Sequence, residues 1–190
     1  MRGGVLFGKL PRHGDFVARG LAPTAREAWD GWASAGLERA GAALGERFGD
    51  AHDAAAPWRF VARPEGFGEA WLAGALAPSV DAVGRRFVIL LAVQGLTAEE
   101  AVAQGALLSA RLEEVIYRCF SEGLDADAAV AAADRVLDHG APAAVAASVD
   151  ASNGAWWAVG YDGAPAAVIA GHDPPRDLFA RAFALGQAVP

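Results

Sequence analysis

Two short segments concentrate the side chains that could do chemistry. Residues 9–16 and 78–85 each follow an apolar run, and both are rich in turn-forming and polar residue types. Their hydroxyl, carboxylate and guanidinium groups would suit a small-ligand pocket or an active site if the two segments lay together in the fold. The side chains that would have to meet there are those of Asp15, Ser79, Asp81 and Arg85. Arg85 stands four residues after Asp81, so a structural ion pair is the alternative interpretation.

The familiar patterns of catalysis and metal binding are missing from the sequence. It contains neither Gly-x-Ser-x-Gly nor His-Glu-x-x-His. His13 and Asp15 would supply two metal ligands from one loop, but a solvated turn is the simpler interpretation. The single cysteine, Cys119, rules out a disulfide within the chain, and its mid-helix position predicts a buried, inert thiol. We therefore predict a protein that is not an enzyme and that holds no metal and no cofactor.

Anionic ligands and membranes are also disfavoured as partners. The formal net charge is −7, and nucleic-acid binding needs an excess of Lys and Arg. Gly8-Lys9 lacks the full phosphate-loop spacing, and Gly84-Arg85-Arg86 leads into a strand rather than a helix. The longest strongly apolar run, residues 87–93, is far shorter than the roughly 20 residues of a membrane-spanning helix. No signal peptide is recognisable. We expect a cytoplasmic protein that binds no nucleic acid and does not insert into a membrane.

Length and composition indicate one globular domain. The chain has 190 residues, 54% of them hydrophobic, so apolar surface is ample for a packed core, and we predict a single domain over 1–190. The segment 78–85 is too rich in turn formers to belong to a neighbouring strand. Trp156 and Trp157, adjacent in a predicted strand, must face opposite sides of its sheet. The predicted strands are 5–10, 58–61, 70–77, 86–93, and a hairpin of 155–160 with 166–170 around Asp162-Gly163.

Four helices are predicted to pack on these strands. Capping boxes open two of them, at residues 24–27 and 97–100, and Gly123 ends the second. Asp125 begins a third helix that Gly140 closes, and Asp173 with two prolines begins the last. Several strands in a row between helices indicate an α/β fold with a mixed, largely antiparallel sheet.

Two blocks of the sequence resemble the TagF family, whose members are associated with bacterial type VI secretion. The first block comprises Phe7-Gly8-Lys9-Leu10-Pro11, Gly14-Asp15-Phe16-Val17, Arg19-Gly20-Leu21 and Trp29-Asp30-x-Trp32. The second comprises Trp58-Arg59-Phe60, Pro78-Ser79-Val80-Asp81-x-Val83-Gly84-Arg85 and Phe87, and Trp156-Trp157 is a weaker third match. His13, Ala82 and Val88 depart from the family pattern, in which Arg, Arg and Pro are common. The missing arginine at position 82 weakens a charge-based case for binding a phosphorylated partner.

The resemblance implies a fold, a function and a set of partners. The implied fold is a three-layer α/β sandwich with helices flanking the sheet. The implied function is that of a cytoplasmic accessory protein that restrains the secretion apparatus by protein–protein contact, beside a threonine-phosphorylation pathway. Its implied partners are type VI secretion components, among them a forkhead-associated scaffold protein. The candidate partner-binding residues are Lys9, Pro11, Gly14, Asp15, Phe16, Ser79, Asp81, Gly84 and Arg85.

Other interpretations of the same residues stay open at this point. The chain could be a structural adaptor of the secretion apparatus, or a small-ligand-binding or enzymatic domain that uses the 9–16 and 78–85 loops. The motif residues also have an architectural interpretation. Glycine and proline after the first strand suit a tight reversal of the chain, and Ser79 and Asp81 suit the capping of a turn. If the strands before the two segments run in the same direction, both segments lie at one end of the sheet.

Overall fold

Seven strands form one antiparallel sheet in a computed structural model that describes residues 2–65, 70–138, 149–160 and 163–187. They are β1 (Gly3–Gly8), β2 (Val17–Arg19), β3 (Trp58–Ala62), β4 (Trp71–Val80), β5 (Arg86–Leu96), β6 (Ala155–Val159) and β7 (Pro165–Ala170). Their order across the sheet is β2-β1-β5-β4-β3-β6-β7. Every pairing among the described strands is antiparallel, so the expectation of a mixed sheet is not met.

Helices cover both faces of the sheet. They are α1 (Pro23–Leu44), α2 (Phe48–Asp53), α3 (Ala98–Ser121), α4 (Ala126–Asp138) and α5 (Leu178–Gln187). α3 and α4 pack on one face through residues such as Leu112 and Ile116. α1, α2 and α5 pack on the other through residues such as Trp29 and Phe179. The chain therefore has an α/β fold with a separate apolar core on each side of the sheet. No helix of the described residues combines the length and the apolar character that crossing a membrane requires.

The central strand and the tryptophan pair behave as predicted. Residues 87–93 of β5 are buried along their whole length, as expected of a strand covered on both faces. Trp156 stacks on Phe60, with their ring centroids 4.6 Å apart, in the core beneath α1 and α5. Its neighbour Trp157 lies in the opposite core, beneath α3. Adjacent tryptophans in β6 thus anchor both layers of helices.

The observed helix starts agree with the predicted ones where a side chain caps the helix. Thr97 Oγ1 accepts from the Glu100 N–H at 3.1 Å, and the Glu100 carboxylate accepts from the Thr97 N–H at 2.8 Å, so this predicted capping box is confirmed. The prediction of a capping box at residues 24–27 is wrong. α1 begins at Pro23, and its N-cap, Ala22, makes no side-chain hydrogen bond. Because proline presets the helical φ one residue earlier, Thr24 lies inside the first turn, where its hydroxyl does not cap the helix.

The later helices show one more correct cap and one error. Asp125 Oδ1 accepts from the Ala128 N–H at 2.8 Å and caps α4 as predicted. Asp173 does not begin a helix, because its carboxylate accepts from the Glu65 N–H at 3.0 Å and α5 starts only at Leu178. Gly140 and Asp162, for which the sequence predicts a helix end and a turn, lie outside the described residues.

Strand β4 continues into residues that were predicted to form a connection. The prediction is wrong for Pro78, Ser79 and Val80, which pair with Val88, Phe87 and Arg86 of β5. Residue pairs along two antiparallel strands alternate between pairs that hydrogen-bond to each other and pairs whose backbone groups point away from each other. This alternation explains why the proline is tolerated. The Val88 C=O accepts from the Lys9 N–H at 2.9 Å, so Val88 directs its backbone groups toward β1, and Pro78 opposite it directs its own away from β5. β3 does not extend that far, since its first residue, Trp58, pairs with Leu76. The missing N–H therefore removes no hydrogen bond from the sheet.

Candidate partner-binding site

The two polar segments meet at one end of the sheet. β1 and β4 are both antiparallel to β5, so they run in the same direction and their following loops emerge side by side. The Ala82 N–H donates to the His13 C=O at 2.8 Å, and the Arg85 guanidinium donates to the Gly14 C=O at 2.7 Å. We call residues 9–16 together with 81–85 the paired-loop site.

Asp81 is the centre of the paired-loop site. Its carboxylate is fully buried, yet Oδ2 lies 3.0 Å from Lys9 Nζ and 2.6 Å from Arg85 Nε. Oδ1 accepts from the backbone N–H groups of Val83 and Arg85 at 3.1 and 2.9 Å. Burial alone would raise the pKa of Asp81, but these hydrogen bonds outweigh it and hold the pKa below its ordinary value. Asp81 is therefore ionised and saturated with partners.

Lys9 joins the two loops. Only 7% of its side chain is exposed, and its ammonium lies 4.9 Å from the centroid of the Phe16 ring as well as beside Asp81. Its C=O accepts from the buried Ser79 hydroxyl at 2.7 Å. A buried lysine needs such a counter-charge, because an isolated ammonium would be costly to desolvate. Sequence inspection suggested the Asp81–Arg85 pair, which the structure contains, but missed Lys9 as the buried partner.

Proline and glycine shape the two turns. The His13 N–H donates to the Leu10 C=O at 2.9 Å, closing a turn in which Pro11 holds a position that favours proline. Gly84 has a φ of +81°, the left-handed region that other residues adopt at a cost, and its N–H donates to the Asp81 C=O at 2.9 Å. These residues set the path of the backbone. Their role in the site is architectural.

Apolar side chains remain at the surface of this polar cluster. Phe16 packs edge-on against Phe87, with ring centroids 4.7 Å apart, yet stays 48% exposed. Val83, at the tip of the second loop, is 72% exposed. The outer surface of the paired-loop site thus carries two apolar side chains, Phe16 and Val83, beside the exposed Asp15 and the half-exposed Arg85.

The polar groups of the site do not open together into one cavity. Asp15 is exposed, and its carboxylate accepts from the neighbouring Phe16 N–H at 2.8 Å. Ser79 donates to Lys9, and Asp81 is enclosed by its own loop. Each of the four side chains predicted to meet in a ligand pocket therefore has a hydrogen-bond or ion-pair partner within the protein.

The remaining reactive residue types have structural contacts. His13 Nε2 accepts from the Ala126 N–H at 3.1 Å, at the start of α4. The described residues contain no group of three or more His, Cys, Asp or Glu side chains placed to hold a metal ion. Cys119 is buried, and this burial raises the pKa of its thiol to about 11, so the thiol is unreactive at neutral pH.

Comparisons with known proteins agree with the sequence motifs. The family model described as "TagF N-terminal domain, Type VI secretion system-associated" matches residues 5–139. The chain is also similar to the crystal structure of PA0076 from Pseudomonas aeruginosa PAO1, determined at 2.05 Å, with a TM-score of 0.73 and 23% sequence identity. That alignment covers 98% of this chain and 97% of the other, and it shows a shared fold. No curated protein matches the sequence. Since the family model spans well over half of the sequence, this chain belongs to the TagF family of type VI secretion system-associated proteins.

Proposed function

We propose that this protein is a non-enzymatic, cytoplasmic accessory protein that restrains the type VI secretion apparatus by protein–protein contact. The contact surface is the paired-loop site, and the partner is a secretion component such as a forkhead-associated scaffold protein. The restraint is post-translational and acts beside a threonine-phosphorylation pathway. In this proposal the helices on both faces of the sheet form the outer layers of a three-layer α/β sandwich that presents the loops at one end.

One observation carries the proposal: the buried polar groups of the paired-loop site bond to one another, whereas the apolar side chains of Phe16 and Val83 face outward. A catalytic site needs polar groups that are free to engage a substrate. Binding surfaces instead centre on an apolar or aromatic side chain beside an arginine, held on a rigid backbone. Phe16, Val83 and Arg85 have this arrangement, and the buried Lys9–Asp81 pair holds the two loops together beneath them.

The test is a charge placed at the tip of the site. Val83→Asp changes a side chain that is 72% exposed, so the free energy of unfolding should change by no more than about 0.5 kcal/mol. The matched control is Val102→Asp, which introduces the same carboxylate at a 49% exposed position on α3, away from the loops. We expect Val83→Asp to weaken binding to the purified scaffold protein at least tenfold and to increase secretion in cells. We expect the control variant to match the wild type in both assays.

Two results would count against this function. If Val83→Asp and Val102→Asp both bind and restrain secretion like the wild type, the paired-loop site is not the contact surface. If the protein co-purifies in fixed stoichiometry with the assembled apparatus and its removal abolishes secretion, it is a structural adaptor instead.

A further inference from the structure

A cavity of about 450 Å³ opens beside the last residues of β4. β4 residues 77–80 form one side of it, while α2 with its following turn and the C-terminal part of α3 form the other sides. Because α2 packs on one face of the sheet and α3 on the other, the cavity is a slot in the plane of the sheet. The side chains that enclose it include His52, Asp53, Pro57, Tyr117 and Phe120.

Backbone groups of β4 point into this slot. The Asp81 N–H donates to the Arg85 C=O at 3.2 Å, so the preceding residue, Val80, directs its N–H and C=O away from β5. The Pro78 C=O also points away from β5, because its partner Val88 directs its own backbone groups toward β1. Within the described residues, no group forms a hydrogen bond with these three backbone groups. The slot therefore contains an unused strand edge with two acceptors and one donor.

We propose that an extended segment of a partner protein adds to β4 in this slot as a short extra strand, in line with β3. An extended peptide supplies the alternating N–H and C=O groups that match such an edge. Apolar side chains line part of the slot, among them Pro57 and the rings of Tyr117 and Phe120, which are 50% and 39% exposed. Asp53, the acidic residue among those lining the slot, is already paired, since its Oδ2 lies 2.7 Å from Arg86 Nη2. The inserted segment is accordingly uncharged, with an apolar side chain against the two rings.

The shape of the slot argues against a second copy of this chain as the occupant. The described strands of the sheet are themselves covered by helices on one or both faces, so none of them is a free extended segment. We therefore place the occupant in a loop or tail of the partner, outside any sheet. Val80 leads directly into the paired-loop site, so a partner bound there places its neighbouring residues beside this edge. The identity of the partner rests on the proposed function, but the binding mode rests on the backbone groups of Pro78 and Val80, which lie outside the paired-loop site.

The proposal is tested by photo-cross-linking in the native cells. The full-length chain carries p-benzoylphenylalanine in place of Tyr117, and a second strain carries it in place of Val83. We expect position 117 to cross-link to an apolar segment of another protein, identified by mass spectrometry. Val80→Pro removes the outward N–H without removing a hydrogen bond to β5, and we expect it to reduce the cross-link at least tenfold. Val80→Thr keeps the N–H and should cross-link like the wild type. Thermal melting shows whether the Val80→Pro variant folds. If it does not fold, the Phe120→Asp variant, which places a charge in the slot, takes its place in the experiment.

Each other outcome has a definite meaning. A cross-link from position 117 to another copy of this chain overturns the proposal, as does a cross-link that Val80→Pro and Phe120→Asp leave unchanged. A cross-link from position 83 without one from position 117 overturns the added strand and leaves the proposed function standing. A cross-link from position 117 that depends on the Val80 N–H, without one from position 83, supports the added strand and counts against the paired-loop site.

Discussion

Replacing the buried ammonium at the centre of the paired-loop site should destabilise the protein strongly. Lys9→Met retains most of the aliphatic stem but leaves the fully buried Asp81 carboxylate without its ammonium partner, which lies 3.0 Å away. Breaking a buried ion pair by removing one partner costs about 3–5 kcal/mol. Asp81 keeps the guanidinium and N–H of Arg85 and the N–H of Val83, so we expect a loss near the lower end, about 3 kcal/mol. Since a folded domain is stable by only about 5–15 kcal/mol, this loss is large.

Urea denaturation followed by tryptophan fluorescence measures this loss, and Arg85→Met is the matched control. The Arg85 side chain is 57% exposed, although its Nε lies 2.6 Å from the same carboxylate oxygen. Because the guanidinium side of this pair is open to solvent, its removal should cost less than removal of the buried ammonium, so Arg85→Met should unfold at a urea concentration between those of Lys9→Met and the wild type. The double variant Lys9→Met/Asp81→Asn should lose less stability than the sum of its two single variants, because it leaves no buried charge uncompensated. Equal small losses for Lys9→Met and Arg85→Met, with additive effects in the double variant, would refute the central role of the Lys9–Asp81 pair.

Two further predictions concern packing and acid stability. Gly36→Ala should destabilise the fold by about 1–3 kcal/mol, because its new Cβ would collide with the Phe179 ring. Gly31→Ala, on the same helix with open space around it, should instead stabilise the protein by about 0.5–1 kcal/mol, and urea denaturation of both variants checks the contrast. Hydrogen bonds from Arg86 lower the pKa of Asp53 to about 2, below the unfolded value of about 3.9. Its stabilisation is therefore present above pH 4 and is lost as the pH falls toward 2, with a small amplitude because the carboxylate is half-exposed. Asp53→Asn should flatten that part of a stability–pH profile, and an unchanged profile would contradict this assignment.

Local sequence patterns predicted those features that depend on neighbouring residues. The Thr97–Glu100 capping box and the Asp125 cap each join residues three apart, so the sequence contains both partners. The burial of β5 follows from its continuous apolar run. The start of α1 was mispredicted because two local signals compete there, and the fixed φ of Pro23 prevailed over the hydroxyl of Thr24.

Features that depend on distant parts of the chain were not predictable in the same way. The extension of β4 through Pro78 requires that β3 end earlier and that Val88 face β1, and neither condition is visible near the proline. The buried contact between Lys9 and Asp81 likewise arises because β1 and β4 run in the same direction on either side of β5. Sequence reasoning identified the two loops as a candidate site. The sequence does not distinguish the side chains that hold the two loops together from the side chains that face outward.

This distinction changes how the family motif should be interpreted. Lys9, Ser79 and Asp81 are buried and bonded to one another, so they determine the shape of the paired-loop site without touching a partner. Phe16 and Val83 lie on the surface of the paired-loop site and are exposed to solvent. Under the proposed function, loss of regulation in a Lys9 variant would be accompanied by loss of stability, whereas a Val83 variant would lose regulation at unchanged stability. The family motif therefore marks the residues that build the paired-loop site, and under the proposed function the choice of partner depends on the exposed residues between them.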